Sequence, residues 1–142
     1  MNWVLLAVMT AFFYGTYNVF IKLSSGHINQ IVGALILQIV AALLGGGILL
    51  VMKLRNVPLE VSNKGIWYAV LAGVFVGLAE IFSFVVFSRG VTVSVGISII
   101  IGGSVLFGAL LGLFFLREIL TIWHYLGILM IVGGVVLLST QG

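Results

Sequence analysis

Apolar residues run almost unbroken through five stretches, at 2–21, 31–52, 66–87, 93–116 and 119–138, and polar residues collect at their edges. Each stretch has about the 20 residues that a helix needs to cross a hydrocarbon core of roughly 30 Å. The runs are continuous and do not alternate, so they predict membrane helices rather than barrel strands. The pattern therefore predicts an all-α membrane protein, a five-transmembrane-helix bundle in which 1–142 form one domain. Little is left between the spans, and the only loop of any size, 53–65, holds the single Pro58. No Lys or Arg precedes the first stretch and its apolar run is longer than that of a signal peptide, so it is expected to be retained.

Composition agrees: 63% of residues are hydrophobic and 6% charged, and the mean hydropathy of +1.39 is far from the balance of a soluble domain. The net charge of +3 is spread over membrane edges rather than gathered on one face, which argues against nucleic acid as a partner. It bears on orientation instead. Lys53, Arg55, Lys64 and Arg117 fall on one side of five spans and Lys22 and Arg89 on the other, favouring a cytoplasmic amino terminus. There are no cysteines, which removes disulfides, thiolate metal sites and thiol nucleophiles. His27, in a loop, and His124, near a helix start, read as interfacial residues rather than ligands, so no cofactor or metal is expected. An enzyme is disfavoured as well. The chain has no Asp, and Gly45 to Gly47 lead to no Lys and Ser/Thr pair of a phosphate loop.

Eight of the nine charged residues lie at the edges of the spans, and the ninth, Glu80, lies well inside the third. An acid at mid-helix costs about 2.5 to 3.5 kcal/mol to insert, less if it is protonated, paired or wetted. Gly73, Gly77, Glu80, Phe84 and Phe87 follow the three-and-four spacing, so the acid shares a face with small residues and points to a neighbouring helix or a cavity. It either locks helices together as a neutral hydrogen-bonding acid or exchanges a proton for a substrate. Gly73 with Gly77, Gly108 with Gly112 and Gly127 with Gly134 have the spacing that lets helix backbones approach.

Other polar residues at membrane depth form narrower stripes. Thr10, Tyr14, Asn18 and Lys22 recur every four residues on the first span with Tyr17 beside them, as ligand contacts or as an aromatic belt with a helix contact; Lys22 can snorkel to the interface. Ser94, Ser98 and Gly102 share a face of the fourth span, where hydroxyls can bond their own helix. Gln38 lines a cavity or bridges two helices.

The segment "SRGVTVSVGISIIIGGSVLFGALLGLFFLREILTIWHYLGILMIVGGVVLL", with Leu116, Arg117 and Glu118 in a tight turn and Gly127, Gly133 and Gly134 in the final helix, resembles the second part of an EamA domain of the drug/metabolite transporter superfamily. "YGTYNVFIKL", from Tyr14 to Leu23, is similar to the first helix of that domain. Two positions depart from related patterns. Gly102, Gly103 and Ser104 stand where many members carry a proline. Phe12, Phe13 and Tyr14 stand where the similar small multidrug resistance proteins have an acid, so any proton coupling must come from Glu80.

The resemblance implies a five-helix unit, half of an inverted-repeat transporter, paired with itself or with a related chain. Trp123, Gly127, Met130 and Gly134 on the final helix are the candidate dimer contact. It further implies a multi-pass protein of the prokaryotic inner membrane, surrounded by lipid. It would move a small organic metabolite or amphipathic cation by alternating access in exchange for protons. Glu80 is the candidate titrating residue, and Tyr14, Tyr17, Asn18, Gln38 and Ser98 are candidate wall residues. The alternative is a non-transporting accessory or scaffold subunit whose polar stripes bind another membrane protein.

Overall fold

The computed structural model describes residues 2–140. It has five helices: α1 (Trp3–Ser25), α2 (Gln30–Leu54), α3 (Asn63–Ser88), α4 (Val93–Phe115) and α5 (Ile122–Ser139). No strand occurs among the described residues. The helices hold 18 to 26 residues, about 27 to 39 Å at 1.5 Å per residue, and all five are apolar enough to cross a membrane. The chain is an all-α, multi-pass membrane protein.

The helix ends follow local hydrogen bonding rather than hydropathy. The apolar run stops before Lys22, yet α1 continues to Ser25, where the hydroxyls of Ser24 and Ser25 return to the carbonyls of Ile21 and Lys22 at 3.1 and 2.9 Å. α2 starts behind Asn29, whose side chain accepts from the Ile31 N–H at 3.0 Å. α3 starts three residues ahead of its apolar run, because the Ser62 hydroxyl accepts from the Gly65 N–H at 3.1 Å as an N-cap. The expected start of the last helix at 119 is displaced to Ile122. There Arg117 adopts a left-handed backbone, φ 55°, and the N–H groups of Leu116 and Glu118 both donate to the Gly112 carbonyl. Thr121 then opens α5, its N–H and its hydroxyl meeting His124 Nδ1 at 3.0 and 2.8 Å.

The chain divides into two compact units, one built from residues up to Phe20 together with those from Gly90 onward, the other from Ile21–Arg89. In the first, α4 packs on α5. A Cβ on Gly102 would stand 3.4 Å from Ile131 Cγ2 and would collide with Val135, so the missing side chain sets how closely the two helices approach. In the second, α2 packs on α3. Ile21, Ala34, Phe84 and Phe87 are its buried apolar residues. In the same unit, 39–51 of α2 and 66–76 of α3 are exposed throughout, as suits surface that hydrocarbon covers.

Candidate functional site

In the unit Ile21–Arg89 the Phe84 ring lies over Gly33, and the Gln38 amide lies 3.5 to 4.0 Å from where a Cβ on Gly77 would be. Residues advancing along α2 thus meet residues receding along α3, so the two helices are antiparallel. Glu80 lies between these contacts, three residues after Gly77 and four before Phe84, and therefore on the α3 face turned to α2. It is 8% exposed. Across from Gly77, one turn along α3 from Glu80, Gln38 of α2 supplies an amide that can both donate and accept hydrogen bonds. Ser83 is also buried, but its hydroxyl returns to the Ala79 carbonyl at 2.9 Å.

Lys22 closes the end of this region. Its Nζ donates to the Phe87 carbonyl at 3.1 Å, an acceptor in the last turn of α3 that the Arg89 N–H also meets. The ammonium also meets the negative end of the α3 dipole. Instead of reaching out to the interface, Lys22 turns inward as a cap, and Phe87 beneath it is 1% exposed. About 10 Å of helix rise separates Phe87 from Glu80.

The other candidate residues belong to the other unit. The Asn18 side chain is 3% exposed and its Nδ2 donates to the Tyr14 carbonyl at 2.8 Å. The rings of Tyr14 and Tyr17 lie 5.4 Å apart, tilted by 59°; Tyr14 is exposed and Tyr17 half-buried. The Ser98 hydroxyl donates to the Ser94 carbonyl at 2.7 Å, and that of Thr10 to Leu6 at 2.9 Å. On α5, Trp123 and Met130 are 76% and 78% exposed, and nothing lies within 4 Å of a Cβ placed on Gly127 or Gly134. The structure therefore places Glu80 on the face of α3 that packs on α2 and Gln38 on the facing side of α2, against Gly77, and gathers Tyr14, Tyr17 and Asn18 on neighbouring turns of α1.

The glycine spacings need correction as markers of helix contact. Within the chain, Gly73, Gly108, Gly127 and Gly134 have open space over them, whereas Gly33 and Gly102 carry the close approaches. Gly112 is covered by the Glu118 carboxylate of the α4–α5 turn, with Oε2 2.6 Å from the place of a Cβ. Spacing fixes which face a glycine lies on, but contact depends on the bulk opposite. Nothing in the sequence marks Gly33. Lys22 had a signal, a cation beyond the last apolar residue of its helix. No cluster of three or more metal-ligating side chains occurs among the described residues.

Five apolar spans with a buried acid on a helix-packing face describe a polytopic membrane protein with a polar site inside it. The model of the EamA-like transporter family matches residues 1–140, and the chain belongs to that family, which makes it a membrane transporter of the drug/metabolite type. No curated protein and no solved structure matches it.

Proposed function

We propose that this transporter moves a small organic metabolite or amphipathic cation across the prokaryotic inner membrane in exchange for protons, by alternating access with a second five-helix unit. The observation that carries this reading is Glu80, an acid 8% exposed within a membrane span and flanked by close-packed contacts of α2 and α3. A carboxyl kept from bulk water changes its proton only when its surroundings change, which is the coupling an exchanger requires. Its negative form offers a counter-charge to a cationic guest, and Gln38 offers a neutral hydrogen-bonding group beside it. On α1 and α4, Tyr14, Tyr17, Asn18 and Ser98 are proposed to meet substrate, the tyrosine rings through their faces.

The test is uptake of tetraphenylphosphonium, a lipophilic cation, into liposomes holding the purified chain, with and without an imposed pH gradient. Glu80→Gln keeps the size and hydrogen-bonding capacity of the side chain but cannot titrate. Gradient-driven uptake should fall to the level of empty liposomes in this variant while the protein stays folded. Unchanged gradient-driven uptake by Glu80→Gln would show that the proton is carried elsewhere or not at all.

A further inference from the structure

The second half of α2 carries a groove that the transport reading does not use. Leu44, Gly47, Ile48, Val51 and Met52 line it at the three-and-four spacing of one helix face, and Arg55 and Val57 line its end. Its volume is about 510 Å³. The closed end arises because Asn56 takes a left-handed backbone, φ 53°, which folds the chain back so that the Val57 N–H donates to the Met52 carbonyl at 3.1 Å. The floor is Gly47, over which a Cβ would meet nothing within 4 Å. The trough exists because that side chain is missing.

The dimensions and the charge select an occupant. From Leu44 to Arg55 the helix rises about 16 Å, the thickness of one leaflet of a hydrocarbon core of roughly 30 Å. A trough of that length on an open aliphatic helix face suits one extended hydrocarbon chain running toward the helix end. The walls are aliphatic until the helix end, where the guanidinium of Arg55 presents the planar fork that suits a phosphate. Lys53 and Lys64 add positive charge in the same 53–65 segment, against Glu60 as its one acid.

We propose that this groove binds an anionic phospholipid, one acyl chain lying over Gly47 and the phosphate held by Arg55. The test uses the full chain in detergent, titrated separately with phosphatidylglycerol and phosphatidylcholine and read by native mass spectrometry. The wild type should retain phosphatidylglycerol about fivefold or more over phosphatidylcholine. Arg55→Gln should remove that preference. Gly47→Leu should lose both lipids by filling the trough, and since Leu forms helix better than Gly its circular dichroism should match the wild type. Equal retention of the two lipids by the wild type overturns the proposal. So does wild-type retention by both variants, or a Gly47→Leu that keeps its lipid and instead changes from dimer to monomer, which would assign the groove to a second copy.

Discussion

Gly33 and Gly46 lie on the same helix and differ in what stands over them. A methyl group on Gly33 would come within 2.8 Å of Phe84 Cζ, and that ring, 3% exposed, is enclosed and has little room to yield. Gly46 has nothing within 4 Å. Replacing a mid-helix glycine by alanine favours the helix by about 1 kcal/mol, while overpacking costs about 1 to 3 kcal/mol. Gly46→Ala is therefore expected to raise thermal stability in detergent, and Gly33→Ala to lower it by up to about 2 kcal/mol once the helix gain is subtracted. Phe84→Leu should recover part of the loss in the Gly33→Ala background, because the two positions share one contact. The same response at both glycines would mean that α2 and α3 do not meet at Phe84. This contact fixes the register that leaves Glu80 on the inner face, so the site rests on a residue with no chemistry of its own.

At the scale of the element, the question is what holds the end of α3 in place. Lys22 donates to the Phe87 carbonyl, and a charge-assisted hydrogen bond contributes about 1.5 to 3 kcal/mol when well buried. Lys22 is only half-buried, so a contribution of about 1 kcal/mol is the reasonable figure after screening. Lys22→Met keeps the aliphatic stem and removes the charge. It should speed hydrogen exchange of the last-turn amides of α3, Val85 to Arg89, by about fivefold, leaving those of α5 unchanged, and Lys22→Arg should restore protection in part. Unaltered exchange in Lys22→Met would reduce the bond to a surface contact. The existence of all five helices is legible in the sequence because each must be apolar over the full membrane depth. Their ends are less so. Hydropathy registers where charge begins, and Lys22, Ser24 and Ser25 continue α1 beyond that point, while the Arg117 turn and the Thr121 cap shorten α5 where the residues are still apolar. Glu80 is legible for the opposite reason: a charge within hydrocarbon stands out without any structure. That the Phe84 ring lies over Gly33 and that Gln38 faces Gly77 needed the α2–α3 register, which no periodicity in a single helix supplies.

For the whole molecule, the proposed alternating access calls for a second five-helix unit. Trp123, Gly127, Met130 and Gly134 form one exposed face of α5, distinct from the face that Ile131 and Val135 turn to Gly102. Because the chain has no cysteine, a single introduced thiol reports one contact without background. Met130 lies at the middle of α5, so across a two-fold axis through this face it meets its own mate whether the pair is parallel or inverted. Trp123 lies about 10 Å away along the helix; it meets its mate only in a parallel pair, whereas in an inverted pair it faces Leu137, equally far on the other side and also exposed. Oxidation in native membranes is therefore expected to join Met130→Cys into dimers and to leave Val40→Cys, on the exposed surface of α2, monomeric. A disulfide needs Cα atoms within about 7 Å, so the two arrangements separate cleanly. Self-joining of Trp123→Cys identifies the parallel pair, and joining of Trp123→Cys only to a co-expressed Leu137→Cys chain identifies the inverted one. Should Val40→Cys join while none of the α5 thiols does, the contact lies on another helix, and the exposed face of α5 belongs to lipid.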